Sequence, residues 1–124
     1  MKQILVVDDQ AHVIRVVKMA LERAGYQVVS ALNGEIAFNL ITEHNPDVLY
    51  TDIQMPRMNG EELCKKISQE IPDRKFPIII ATSRTEREHR EWSSQINNLT
   101  FLEKPVSARK LITLLDGYFN TDKQ

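Results

Sequence analysis

A chain of 124 residues, 42% hydrophobic and 27% charged, is near the usual size of one domain and long enough to bury one core. Its formal net charge of −1 excludes the strongly basic balance of a general nucleic-acid binder, and its one cysteine, Cys64, excludes an internal disulfide and fits a reducing compartment. The apolar run at residues 4–7 is too short for a signal-peptide core and no run approaches a membrane span, so a cytoplasmic chain without membrane insertion is expected.

The first predicted strand covers residues 3–7, where the run Ile4-Leu5-Val6-Val7 stops at the pair Asp8-Asp9. Residues 11–24 carry Val13, Ile14, Val17, Ala20, Leu21 and Ala24 at helical spacing, up to Gly25. A strand over 27–31 follows, then a helix with the stripe Ile36, Ala37, Leu40 and Ile41, closed by Asn45-Pro46. The third strand, 47–51, stops at Asp52. Leu63, Cys64 and Ile67 mark a third helix, with Cys64 expected to be a buried small hydrophobe. The fourth strand, 77–82, ends on Thr82.

The fourth helical segment, 85–96, has only Trp92 and Ile96 as large apolar residues, and Trp92 is expected to anchor it to the sheet. The alternative for Trp92 is an exposed place in a partner surface. The alternating Arg84, Glu86, Arg87, Glu88, Arg90 and Glu91 read as a solvated face. His12, His44 and His89 show no ligand spacing and are expected on the surface. The fifth strand, 100–103, precedes Lys104-Pro105, and Ala108, Leu111, Ile112, Leu115 and Phe119 form the fifth helix. This alternation predicts an α/β fold, a doubly wound parallel sheet with helices on both faces, in one domain over 1–120 with a tail at 121–124.

Short apolar runs of this kind read as buried parallel strands, and open α/β sheets bind ligands in the crevice beyond the strands' carboxyl ends. If the first and third strands are neighbours, Asp8, Asp9 and Asp52 share that crevice. Like charges that close are costly unless something positive binds between them, and an all-oxygen donor set favours Mg²⁺. Thr82 and Lys104 add a hydroxyl and an ammonium at two more strand ends. Such a set suits a phosphoryl group and a metal ion: a carboxylate attacks phosphorus, while cation and lysine stabilise the oxygens in flight.

Four motifs stand in order along essentially the whole chain: Val-Val-Asp-Asp at 6–9, Thr-Asp-Ile-Gln-Met-Pro-Arg-Met-Asn-Gly at 51–60, Ile-Ile-Ala-Thr-Ser at 79–83 and Phe-Leu-Glu-Lys-Pro at 101–105. Together they make the chain resemble a response regulator receiver domain of two-component signal transduction, of the single-domain, chemotaxis-regulator kind. The resemblance implies the flavodoxin-like fold, a five-stranded sheet of order 2-1-3-4-5 with five helices. It makes Asp52 the phosphoacceptor and assigns Mg²⁺ (Mn²⁺ as substitute) to Asp9 directly, to Asp8 largely through water, to Asp52 and to the backbone carbonyl of Gln54. Lys104 would pair with the phosphoryl oxygens and Thr82 would hydrogen-bond them. Thr82 and Phe101 would form the switch, with Phe101 filling the space Thr82 vacates. The output face would comprise the fourth helix, fifth strand and fifth helix. Gln54 and Arg84, flanking the site, would tune dephosphorylation by shielding the acyl phosphate. The segment Ile96-Asn97-Asn98-Leu99 departs from the small turn usual in the family before the fifth strand.

The implied partners are a sensor histidine kinase or histidine phosphotransfer protein upstream, and a protein effector or fused output domain downstream. Receivers can also pair through the output face when phosphorylated. The chain would not be an enzyme in its own right, although it would assist its own phosphorylation and dephosphorylation. After the fifth helix too few residues remain for a DNA-binding module, so no direct nucleic-acid contact is expected. Two other readings compete. A phosphohydrolase with an aspartate nucleophile typically needs a second acid two positions on, where this chain has Gln54. A non-phosphorylated scaffold has no need of intact Asp8, Asp9, Asp52, Thr82 and Lys104.

Overall fold

Period-two side chains on a strand buried on both faces are apolar on both, and the first, third and fourth strands of this chain meet that demand except at their carboxyl ends, where Thr51, Asp52 and Thr82 are buried and polar. The computed structural model describes residues 1–83 and 89–120. In chain order they form β1 (Gln3–Val7), α1 (Ala11–Arg23), β2 (Gln27–Ala31), α2 (Gly34–His44), β3 (Val48–Asp52), α3 (Gly60–Glu70), β4 (Ile78–Thr82), α4 (Arg90–Ser93), β5 (Leu99–Glu103) and α5 (Ala108–Asn120). The strands make one parallel sheet in the order β2-β1-β3-β4-β5. This is the flavodoxin-like arrangement expected from the sequence.

Alternate residues feed two cores. Ile4, Val6, Val48, Tyr50, Ile79 and Ala81 join Ile14 and Leu21 of α1 and Leu111 and Leu115 of α5. Leu5, Val7, Leu49, Ile78 and Ile80 join Ala37 and Ile41 of α2 and Leu63, Cys64 and Ile67 of α3. Each fully buried aliphatic side chain contributes about 1.5–3 kcal/mol by leaving water. Cys64 is completely buried, as expected, and burial pushes its thiol up to about 12.

Register decides what meets at the sheet's carboxyl edge. Val7 pairs with Thr51, Asp52 with Ala81, and Thr82 with Glu103. Asp8, Asp52, Thr82 and Lys104 therefore follow or end four adjacent strands on one edge. The helix starts behind that edge are fixed locally. Asn33 caps α2 by accepting from the Ile36 amide, and Asn59 and Glu62 form a reciprocal capping box at α3.

Three expectations change. Ile36, placed on the inward stripe, is 44% exposed, because the inward face of α2 is set by Ala37 and Ile41 one turn apart. The helix expected over 85–96 is described only as the single turn Arg90–Ser93, and residues 84–88 lie outside the described residues. Trp92 is partly buried against the α2/α3-side core, as its anchoring role requires. His89, expected on the surface, is buried at 6% exposure. Its reason is tertiary: the ring lies between Phe101, Trp92 and Thr82. His12 and His44 are exposed as expected. Before β5, Asn98 adopts φ 56°, a left-handed conformation that asparagine tolerates. Among the described residues no helix is long and apolar enough to cross a membrane.

Candidate functional site

At the carboxyl edge the carboxylates of Asp8, Asp9 and Asp52 bring one oxygen each within 4.8 Å of one another. Asp8 and Asp52 are buried, while Asp9 faces solvent. The Asp8 amide donates to Ala31 O (3.1 Å), and its Oδ1 accepts from the Gln10 amide (2.9 Å), which holds the carboxylate at the mouth of β1. Burial, above all, pushes the Asp8 carboxyl above its ordinary range. The Gln10 amide opposes the rise, the negative charge of Asp52 adds to it, Lys104 opposes it and Asp9 adds to it. Tyr50, beneath the group, has its phenol pushed up by burial and by the charges of Asp8 and Asp52.

Asp52 is held from two sides. Its Oδ1 accepts from the Ile53 amide (2.8 Å) and from Lys104 Nζ (2.8 Å). Lys104 is in turn positioned by its own amide, which donates to Thr82 O (2.9 Å). Two glycines let the loop after β3 close over this edge. A Cβ on Gly60 would stand 2.6 Å from the Asp52 carbonyl oxygen and 2.9 Å from Ile53 Cα. A Cβ on Gly34 would meet Met58 O at 2.5 Å. At both positions a side chain would force the backbone to shift, because the close neighbour is backbone.

Asp9, Gln10, Asp52, Gln54, Met55 and Lys104 line a shallow cleft of about 380 Å³ over the group. The donors fit a small divalent cation. They are oxygen-only, they lie within 4.8 Å of one another, and the buried Asp8 faces two like charges that a cation would offset. The site thus holds a partly desolvated carboxylate beside an ammonium and a cation-suited acidic pair, an arrangement able to receive a phosphoryl group.

The structure brings Asp8, Asp9, Asp52 and Lys104 together, with Gln54 at the rim. Thr82 is buried, its Oγ1 lying 3.3 Å from His89 Nε2. Phe101 is half-buried and stacks on His89, centroids 5.3 Å apart and planes at 15°. Arg84 lies outside the described residues. His89 is the residue that sequence reasoning missed. The available signal was its place three residues before Trp92, on the same side of a helical turn.

Comparison with known proteins agrees with this geometry. The family model described as response regulator receiver domain matches residues 4–116. PhoP of Bacillus subtilis, the alkaline phosphatase synthesis transcriptional regulatory protein, is 32% identical over 110 residues, 89% of this chain and 45% of PhoP. PilH of Pseudomonas aeruginosa is 29% identical over 117 residues, 94% of this chain and 97% of PilH. This chain spans about half the length of PhoP and of the other transcriptional regulators it matches. Among solved structures, chemotaxis protein CheY4 of Vibrio cholerae superimposes with a TM-score of 0.85 at 28% identity, covering 94% of this chain and 98% of CheY4. The response regulator TrrA of Thermotoga maritima, in complex with Mg(2+)-BeF, does so with a TM-score of 0.81 at 28% identity, covering 94% and 98%. A family match running through nearly every element of a sheet in this strand order leaves one assignment: the chain belongs to the response regulator receiver domains of two-component systems.

Proposed function

We propose that this receiver, over residues 1–120, takes a phosphoryl group onto Asp52 from a phosphohistidine donor and thereby switches partner binding at its α4-β5-α5 face. The observation that carries this is the buried Asp52 carboxylate, 2.8 Å from Lys104 Nζ and grouped with Asp8 and Asp9. A carboxylate oxygen of Asp52 forms a bond to phosphorus as the donor's phosphorus–nitrogen bond breaks. The donor imidazole leaves with that electron pair and takes up a proton, and Asp52 becomes an acyl phosphate.

Asp9, Asp8, Asp52 and the Gln54 carbonyl are assigned to Mg²⁺ or Mn²⁺, which when bound offsets the carboxylate charges and the charge on the phosphoryl oxygens. Lys104 transfers its ammonium from Asp52 to a phosphoryl oxygen, and Thr82 turns its hydroxyl to another. Because Phe101 stacks on His89, any movement of Phe101 toward Thr82 carries the His89 ring with it. Gln54, exposed at the rim of the cleft, is assigned with Arg84 to shielding the acyl phosphate from water.

A sensor histidine kinase or a histidine phosphotransfer protein is the donor in this account. The recipient of the signal is a protein effector or a fused output domain, and the same face is where phosphorylated copies can pair. The chain assists its own modification and demodification and turns over no further substrate. Intact mass after incubation with acetyl phosphate and Mg²⁺, beside Asp52→Asn, tests the proposal. One phosphoryl group gained by the wild type alone is the expected result. Equal gain in both would move the acceptor elsewhere, and no gain from acetyl phosphate or a phosphohistidine donor would favour a scaffold.

A further inference from the structure

His89 makes polar contacts that no assigned role uses. It is 6% exposed, yet both ring nitrogens have polar partners, Phe101 stacks on the ring and Trp92 meets it edge-on. Trp92 Nε1 donates to His89 Nδ1 at 3.3 Å. An indole nitrogen can only donate, so Nδ1 must be the unprotonated nitrogen. The ring proton then sits on Nε2, which donates to Thr82 Oγ1 at 3.3 Å. Around these bonds, Phe101 stacks on His89 at 5.3 Å and meets Trp92 edge-on at 6.1 Å. Trp92 reaches the surface, where it lines a groove of about 660 Å³ between α3 and α4 with Glu61, Lys65 and Ile96.

We propose that His89 is a positioning residue that relays the state of Asp52 to Trp92. The relay rests on phosphorylation of Asp52 as proposed above. It runs from Trp92 to His89 to Thr82, each donor polarising the next, and ends with the Thr82 hydroxyl donating to a phosphoryl oxygen. Both bonds are long, so a small shift of Thr82 changes or exchanges them and displaces the indole. Stacking ties the same movement to Phe101. His89 thus links the switch threonine, the switch aromatic and the α3–α4 surface through one side chain.

Trp92 is the only tryptophan, so intrinsic emission reports this position alone. Wild type, His89→Phe and His89→Gln are treated with Mg²⁺ and beryllofluoride while emission is followed, and phosphoryl gain from acetyl phosphate is measured by intact mass. His89→Phe keeps the stacked ring and loses both polar contacts, whereas His89→Gln keeps a donor toward Thr82. The expected result is phosphoryl gain in all three. The emission change should be lost or much reduced in His89→Phe, which lacks both polar contacts, with recovery in His89→Gln. An undiminished change in His89→Phe would overturn the relay and leave His89 as packing. Nitrogen-15 shifts of the wild-type imidazole at mildly alkaline pH decide the point without a variant. Nε2–H with a bare Nδ1 is expected, and Nδ1–H would overturn the relay even if His89→Phe fails to fold. Absence of phosphoryl gain in wild type would instead sink the phosphoacceptor assignment, leaving the tautomer to be read separately.

Discussion

Gly60→Ala concentrates the account on one methyl group. The new Cβ would stand 2.6 Å from the Asp52 carbonyl oxygen, 2.9 Å from Ile53 Cα and 3.3 Å from Ile53 Cδ1. Favourable non-bonded contact begins near ~3.5 Å, so the strand end or the first turn of α3 must give by about 0.5–1 Å. The two nearest atoms are backbone, and Gly60 N is tied to Ile53 O at 2.8 Å, so no side chain can absorb the shift by rotating. Overpacking of this kind costs about 1–3 kcal/mol, while the alanine recovers ~0.4–1 kcal/mol by restricting the unfolded chain, for a net loss of about 1–2 kcal/mol. The same displacement moves the residue carrying Asp52, and a misplacement of that size slows a positioned reaction by up to ~10²-fold.

Urea titration gives the stability change, and the rate of mass gain from acetyl phosphate gives the chemical one. Gly34→Ala is the matched control: its Cβ meets Met58 O at 2.5 Å and Met58 Cβ at 2.9 Å, an equal clash directed at Met58 rather than Asp52. It should lose similar stability and much less rate. A Gly60→Ala chain as stable and as readily phosphorylated as wild type would refute the close-approach reasoning. So would equal rate losses in the two variants.

Three further outcomes are expected. The Asp8 carboxyl is raised in the folded chain, so the native state holds that proton more tightly than the unfolded state; stability therefore falls as pH climbs from the ordinary value of 3.8 through the raised one, and stays lost above it. Asp8→Asn should then melt higher than wild type at neutral pH without Mg²⁺ and gain less from added Mg²⁺, and identical melting under both conditions would contradict the acidic site. Lys104→Met should lower stability by about 1 kcal/mol or more, since the lysine is 38% exposed but its loss leaves the 7% exposed Asp52 carboxylate unpaired. It should slow phosphoryl uptake about tenfold or more, and an unchanged rate would remove Lys104 from the chemistry. Gln54→Ala should shorten the lifetime of the phosphorylated form, and unchanged or slower decay would end the shielding role.

Most of the fold was legible because apolar runs in a parallel sheet carry their own boundaries. β1 and β2 lie where the sequence placed them, and β3, β4 and β5 differ by one residue at their ends. The site was legible for a related reason: Asp8, Asp52, Thr82 and Lys104 stand at or just beyond strand ends, and register in a parallel sheet aligns such ends. His89 was hidden because it stands in a run of charges that reads as a solvated helical face. Its burial comes from Phe101 on β5 and Thr82 on β4, which only the tertiary structure brings to it. The close approaches at Gly34 and Gly60 were equally invisible, since a glycine before a helix reads as turn chemistry until the backbone it faces is known.

The most direct test of the central claim locates the modified atom. Phosphorylated wild type is reduced with borohydride, which converts an aspartyl phosphate to homoserine, and its peptides are mapped by mass. Conversion at Asp52 alone is the expected result. Conversion at Asp8 or Asp9, or phosphate retained on a hydroxyl side chain, would contradict the assignment.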